Sequence, residues 1–421
     1  MAAIVAVALL VTGEAEHERT GPAPRADVTV TVSLDEPVRT RGSMNGFIHS
    51  LDATLPADDR VAPLAPRLWR SDGMRAPIDR ATAFGARYQL VLSDLWGYPP
   101  SDWNGRGPPW RDLAAWERFV RATARASRGR PVIWDIWNEP NDPGFWSGGQ
   151  RRFFDVYSRA NRVLREELGP NVAIAGPSVS RYAPRWLRAF LGHCLAKSCR
   201  VRYLAWHENL EASDPLESIS QHLADARKRF VEEPRFEALG LRDIHVGEYV
   251  GKSDRHLPGE AVSYLQQLER GGADRGARSC WSEEDCSAAG LDGLLTAEGA
   301  PRATWWAHRW YADGEDSRVR AHSSHGALAA LASASAGRAG VLLGNARHRA
   351  GASSRRVRLR LRGELATDVR VRVERVLAGE AAMPEPEVVL DRELRSRDGE
   401  LSVMLPSLPA HAAMRVSVAP L

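Results

Sequence analysis

Two glutamates, each closing a short apolar run, are the residues of this chain best placed to do chemistry. One lies in Val132-Ile133-Trp134-Asp135-Ile136-Trp137-Asn138-Glu139-Pro140 and the other in Ile244-His245-Val246-Gly247-Glu248-Tyr249. Both runs read as buried parallel strands that end in a carboxylate. In an α/β barrel such a carboxylate lies at the C-terminal rim, where that fold places its active sites. Two carboxylates facing each other there could cleave a glycosidic bond. A gap of about 5 to 5.5 Å allows one to act as nucleophile with retention of configuration, and about 6.5 to 9.5 Å leaves room for water and inversion. Asn138-Glu139-Pro140 is the sharper motif. The proline ends the strand, Asn138 offers a donor and an acceptor for a sugar hydroxyl, and Glu139 is the candidate acid/base. Glu248 is the candidate nucleophile.

These positions require a scaffold that brings distant segments together. Eight strand candidates follow one another: Met44–His49, Arg67–Asp72, Tyr88–Leu95, Val132–Asn138, Val172–Pro177, Val201–His207, Ile244–Tyr249 and Ala277–Trp281. Helical periodicity separates several of them, as at Leu113-to-Val120, Phe153-to-Leu164 and Ala261-to-Leu268. Strands alternating with helices predict a (β/α)8 TIM barrel over residues 41–312. Glu139 then closes the fourth strand and Glu248 the seventh, on opposite sides of the ring. Beyond Tyr311 the pattern changes to strict alternation, as in Val357-Arg358-Leu359-Arg360-Leu361-Arg362 and Val369-Arg370-Val371-Arg372-Val373. This predicts a C-terminal antiparallel β-sandwich over residues 313–421. Val28-Thr29-Val30-Thr31-Val32 alternates in the same way, so residues 28–40 are expected to add a strand to that sandwich.

Composition narrows the function. The net charge is +4, from 57 basic against 53 acidic residues, and only Lys197, Lys228 and Lys252 are lysines. The arginines are scattered among acids, which argues against a nucleic-acid partner. No apolar run reaches the roughly 18 residues of a membrane span. No phosphate-cradling loop or metal-ligand constellation is apparent, so neither cofactor nor metal is expected. The apolar start from Ala2 to Val11, followed by Gly13-Glu14-Ala15, resembles a secretory signal without its basic n-region, and residues 1–27 are expected to be leader and linker. Cys194, Cys199, Cys280 and Cys286 form two local clusters. An even count favours disulfides within each cluster, cross-pairing remaining open, and a secreted or periplasmic location. All 14 tryptophans lie between Trp69 and Trp310, and no aromatic residue follows Tyr311. Sugar rings stack on exposed aromatic faces, so carbohydrate recognition is expected in the barrel and a bracing role in the sandwich.

The segments Trp134-Asp135-Ile136-Trp137-Asn138-Glu139-Pro140-Asn141, Leu204-Ala205-Trp206-His207-Glu208, Val246-Gly247-Glu248-Tyr249 and Leu291-Asp292-Gly293-Leu294-Leu295 with Trp305-Trp306 resemble clan A retaining glycosidases. The narrower resemblance is to glycoside hydrolase family 39, which includes β-xylosidases and α-L-iduronidases. It implies Glu139 as acid/base, Glu248 as nucleophile, His207 as a sugar contact and Trp281 as the floor of the subsite where the bond breaks. Arg70 and Tyr249 are expected to contact the sugar as well. Where the family often has Arg-x-His, this chain has Arg70-Ser71-Asp72. Asp72 changes the charge beside the sugar, and no basic cluster is evident for a sugar carboxylate. Alternation on the sixth strand is expected to turn Glu208 away from the mouth. The expected activity is retaining, β-xylosidase-like hydrolysis of oligo- or polysaccharides. An endo-acting exopolysaccharide glycanase and a catalytically inactive carbohydrate-binding barrel are the alternatives.

Overall fold

The computed structural model describes residues 26–98, 106–314, 317–347 and 353–421. The signal-like start and part of the aromatic loop between Trp96 and Trp110 fall outside them. Strand β1 (Val28–Pro37) precedes a closed, all-parallel barrel of β2 (Gly46–Ile48), β3 (Leu68–Ser71), β4 (Arg87–Val91), β5 (Val132–Asp135), β6 (Ile174–Val179), β7 (Tyr203–Glu208), β8 (Asp243–Tyr249) and β9 (Arg275–Arg278). The ring closes where Phe47 pairs with Arg278. All eight predicted barrel strands are present in the predicted order, with shifted ends. The third stops at Val91, and Leu92–Trp96 coils into a helix that buries Leu92 and Trp96, one turn apart. A short apolar run does not by itself distinguish strand from helix. The fourth stops at Asp135. Beyond it the backbone leaves the ladder, and the Glu139 N–H bonds the Ser178 carbonyl at 2.9 Å.

The barrel interior is filled by Ile48, Leu68, Ile133, Tyr203 and the small Ala175, Ala205 and Ala277, with buried Gln89 and His245 hydrogen-bonded to each other. The larger core lies between the strands and the outer helices. There Trp69, Trp116, Trp134, Trp137 and Trp206 are almost fully buried.

The remaining strands are β10 (Arg318–Ser323), β11 (Leu328–Ser335), β12 (Arg338–Asn345), β13 (Val357–Arg362), β14 (Asp368–Val376), β15 (Glu387–Arg395), β16 (Glu400–Met404) and β17 (Ala413–Pro420). They join β1 in one nine-stranded sheet ordered β15-β14-β17-β12-β11-β10-β1-β13-β16. The inward valines and leucines of both ends share one core, so the sheet folds over on itself as a sandwich. The expectation of a purely antiparallel sandwich needs one correction. β1 is antiparallel to β10 but parallel to β13, pairing Val28 with Val357 through Ser33 with Arg362. The chain's first strand fills the place between two strands that already run in opposite directions. One of its pairings must therefore be parallel.

The two units meet closely. The helix Pro258–Gly271 packs on β11 and β12, and Gly259 lies so near that a Cβ there would be 2.6 Å from the Asn345 carbonyl oxygen. Arg347, just past β12, reaches into the barrel. Its guanidinium meets Asp254 at 2.5 Å and the carbonyls of Ala212 and Glu211 at 3.0 Å, while its N–H bonds Glu260 at 2.8 Å. Burial raises the Asp254 carboxyl above its ordinary range. Arg347→Ala strands that carboxylate and is expected to cost about 3 kcal/mol in urea unfolding at neutral pH. The loss should shrink in acid, where Asp254 takes up a proton and no longer needs the cation. A loss independent of pH would contradict this account of the interface.

Candidate active site

Arg70, on the second barrel strand β3, organises the mouth. It is 2 % exposed, and its guanidinium spends each nitrogen on a different acceptor. Nε donates to Asp135 at 2.9 Å, Nη1 to Glu248 at 2.9 Å and Nη2 to the Asn138 side-chain oxygen at 2.7 Å. Burial opposes its charge, but Asp135, Glu248 and Asp94 outweigh that, and the net effect is to hold the proton more tightly. Asp135 is itself fixed by Gln89 and Ser178, each at 2.8 Å. Strands β3, β5 and β8 are thus tied together at their C-terminal ends by one planar cation.

Glu248 receives Arg70 on one oxygen and the Asn209 amide at 3.0 Å on the other, and Asn209 is held in turn by Ser279. Desolvation alone would raise its pKa. The charges of His207 and Arg70 and the Asn209 hydrogen bond overcome this, and the group lies below the ordinary glutamate range. It is therefore ionised at neutral pH. Glu139 faces it from the segment that follows β5, with His207 between them. The ring of His207 is sealed from solvent, with Nδ1 2.7 Å from Glu139 and 3.7 Å from Glu248. Oxygen atoms of Glu139 and Glu248 lie within 4.8 Å of each other, and both side chains keep an open edge, 12 % and 14 % exposed. Glu139 holds a left-handed backbone at φ 45°, which costs a residue with a Cβ and turns its side chain out of the strand direction.

Among the other expected contacts, Asn138 is in place. Its carbonyl faces Arg70 and its backbone N–H bonds Ser93. Trp281 is half-buried at the rim, its indole N–H on the Val250 carbonyl at 3.0 Å. Glu208 turns outward to Trp206 and His222, as alternation requires. Tyr249 is a correction. It is fully buried between β8 and the helix Pro258–Gly271, beside Tyr264, with its hydroxyl on the Met44 carbonyl, and it does not face the mouth. The cause is a bulge in β8: the partner of Trp206 is Val246, but the partner of His207 is Glu248. Skipping Gly247 turns Glu248 into the mouth and Tyr249 out of it.

Sequence reading did not single out Asp135, Gln89, Asn209 or His49. Asp135 carried a signal, since it is an acid inside an otherwise apolar strand. His49 and Ser50 both have positive φ, and their loop is pinned by Asp292, which accepts from the Ile48 N–H and the Ser50 hydroxyl at 2.6 Å. Asp94 borders the mouth, and burial raises its carboxyl, reinforced by nearby Asp72. Donor atoms of Glu139, His207 and Glu248 are near enough to grip a cation, but an ion there would face the Arg70 guanidinium. The set is better suited to proton transfer and nucleophilic attack.

The cysteine expectation is half corrected. Cys280 and Cys286 are bonded, with Cα atoms 5.1 Å apart, next to Trp281. Cys194 and Cys199 are free thiols, both buried. The helix Pro184–Ala196 ends between them, and the chain returns with the Cys199 N–H on the Cys194 carbonyl, leaving the sulfurs as hydrogen-bonding neighbours.

A family model described as "Glycosyl hydrolases family 39" matches residues 102–234, a stretch that contains Glu139 and His207. A β-xylosidase from Geobacillus stearothermophilus is 27% identical over 112 residues, covering 26% of this chain and 21% of that relative. Among solved structures, one from Neocallimastix frontalis has a TM-score of 0.73 at 21% identity, covering 94% of this chain and all of the other. A GH39 enzyme from Xanthomonas axonopodis pv. citri has a TM-score of 0.69 at 16% identity, covering 96% of this chain and 99% of its own. Both describe the same fold.

A Cβ on Gly247 would lie 3.2 Å from the His207 ring and 3.4 Å from Arg70 Nε. Both groups are pinned, so neither can yield freely. Gly247→Ala is expected to cost about 1 to 3 kcal/mol of stability and to displace the groups that set the carboxylate gap. Unchanged thermal stability, together with unchanged binding of a sugar ligand, would show that Gly247 has no such role.

Proposed function

We propose that this chain, which resembles the family 39 glycosyl hydrolases, is a retaining glycosidase acting on β-linked oligo- or polysaccharides, with xylosides the first substrate class to try. The observation that carries the reading is the separation of Glu139 and Glu248. Facing oxygens within 4.8 Å of each other suit the close carboxyl spacing of a retaining pair. In this reading Glu248 attacks the anomeric carbon while Glu139 gives its proton to the departing oxygen. Water then enters from the vacated side. Glu139 takes its proton, and the sugar–Glu248 ester bond breaks with net retention.

The surroundings suit this division of labour. Arg70 and Asn209 keep Glu248 ionised and aimed, which a nucleophile requires. The His207 nitrogen 2.7 Å from Glu139 holds that carboxyl in place. Asp72 and Asp94 border the mouth, and the Arg70 guanidinium is committed to other acceptors. Such a lining favours a neutral sugar over a uronate in the subsite of cleavage. Trp281 remains the candidate platform for the ring. The complete set of acid, nucleophile and supports weighs against a merely sugar-binding barrel. We further propose export from the cell, to which the Cys280–Cys286 disulfide is suited.

A panel of aryl β-glycosides tests the activity. Glu248→Ala is expected to lose roughly 10^4-fold or more in kcat, with azide restoring turnover as the glycosyl azide of inverted configuration. Equal, negligible rates for wild type and Glu248→Ala on every substrate would remove the hydrolase reading. Glu139→Ala should lose little on substrates with activated leaving groups and much on poor ones, because only the latter need protonation. Equal losses on both would contradict the acid role. The acidic limb of kcat/KM should lie below the ordinary glutamate range and move up in Asn209→Ala. A limb that stays put in that variant would show that Asn209 does not tune the nucleophile.

A further inference from the structure

The outer face of the sandwich carries guanidinium groups that the fold leaves without partners. On β13, Arg358 and Arg360 point outward two residues apart, about 7 Å along the strand. Among the described residues neither guanidinium has a hydrogen bond or ion pair, and the Arg360 Nε is buried without an acceptor. Their neighbours on this chain are paired: Arg356 with Asp27, Arg362 with Glu400 and Arg320 with Glu36. At the other end of the sheet Arg370 and Arg372 share Asp391, Arg375 meets Glu387 and Arg395 meets Asp368. Among the described residues Arg338, Arg392 and Arg397 of the sandwich also have no side-chain partner, but Arg358 and Arg360 stand side by side on one strand face.

The cross-strand register extends the pair into a strip. Arg358 and Arg360 stand beside Thr29 and Thr31 of β1, and Thr31 stands beside the exposed His322 of β10. His322 borders a groove of about 550 Å³ between the sandwich and the barrel helix Pro258–Gly271, lined by the exposed Arg39 and Arg270 and also by Glu217 and Glu269, the latter bonded to Arg318 and Tyr311. Guanidinium forks alternate here with hydroxyls across strands about 4.8 Å apart. Carboxylates accept bidentate bonds from such forks, and sugar hydroxyls pair with threonine side chains.

We propose that this strip and groove bind a carboxylate-bearing polysaccharide, holding the uronate groups of a polymer whose neutral sugars reach the barrel. The occupant follows from the chemistry of the face. Without a phenyl, phenol or indole ring after Tyr311, the sandwich offers no stacking surface for nucleic-acid bases and no aromatic anchor for a lipid interface. The identity of the polymer rests on the glycosidase reading. The charge chemistry of the strip stands without it.

The test is affinity electrophoresis of the catalytically dead Glu248→Ala protein through gels containing polygalacturonate or neutral xylan, with anionic phospholipid vesicles in a parallel sedimentation assay. Polygalacturonate should retard the protein more than neutral xylan does, with an effect that falls as salt is raised. Adding Arg358→Gln and Arg360→Gln should weaken that retardation at least ten-fold. In the otherwise wild-type chain the two glutamines should leave kcat/KM on a small aryl glycoside unchanged. Equal retardation of the parent and the double glutamine variant, or capture by vesicles but not by polygalacturonate, would overturn the proposal. A chain that binds polygalacturonate through these arginines yet hydrolyses no aryl glycoside would instead overturn the catalytic reading alone.

Discussion

The arrangement at the barrel mouth depends on one buried cation. Removing Arg70 and Asp135 from water costs several kcal/mol for each ion, and their contact at 2.9 Å offsets that cost only because each Arg70 nitrogen and both Asp135 oxygens also have partners. Gln89 and Ser178 complete Asp135, while Asn138 and Glu248 complete Arg70. The result is a rigid triangle spanning β3, β5 and β8. Because Asp135 already balances the guanidinium, Glu248 is oriented by Arg70 without being fully neutralised. An ionised carboxylate held this way keeps its charge while one edge stays open to the mouth.

Strain accumulates around the same mouth. His49, Glu139, Ser178 and Val250 have φ of 45°, 45°, 57° and 86°, and each lies at or just beyond the C-terminal end of a barrel strand. Such conformations cost of order 1 to 3 kcal/mol each and persist only where the surroundings dictate them. Here the surroundings do. The His49 N–H bonds the Arg70 carbonyl and its own carbonyl accepts from Trp69, while the Glu139 N–H bonds the Ser178 carbonyl. The indole of Trp281 caps the Val250 carbonyl. The tryptophan-rich layer between strands and helices supplies the stability that offsets these local costs.

This division explains which features could be read from residues alone. Apolar runs ending in glutamate marked the strands that matter, because burial on both faces leaves near-continuous apolar runs in parallel sheets. The outward turn of Glu208 followed from alternation, since β7 is regular up to that point. The expected contact of Tyr249 failed because a bulge in β8 brings Glu248 inward and turns the next residue out. A bulge depends on two strands meeting, which neither strand's sequence announces. The same holds for Arg70. Its conversion from a sugar contact to the support of Asn138, Asp135 and Glu248 depends on three strands that approach only when the ring closes. The parallel pairing of β1 with β13 is equally non-local, a consequence of where the chain's first strand had to fit.

The barrel and the sandwich also divide charge between them. Asp72, Asp94, Glu139 and Glu248 lie around a mouth where the Arg70 guanidinium already has partners, whereas Arg358 and Arg360 on the sandwich have none among the described residues. Under the proposed function, a polymer carrying both neutral and acidic units can satisfy the two surfaces at once, with its charged groups excluded from the mouth. Even weak attachment at the strip would turn each later encounter with the mouth into an intramolecular one, raising the effective concentration of cleavable units without any added contact at the reacting centre. The helix Pro258–Gly271 and the Arg347–Asp254 pair fix the sandwich against the barrel, so the distance between the two surfaces is set by packing and not by a linker. A rigid spacing of this kind favours polymers whose acidic groups recur at one particular interval from the cleavable bond.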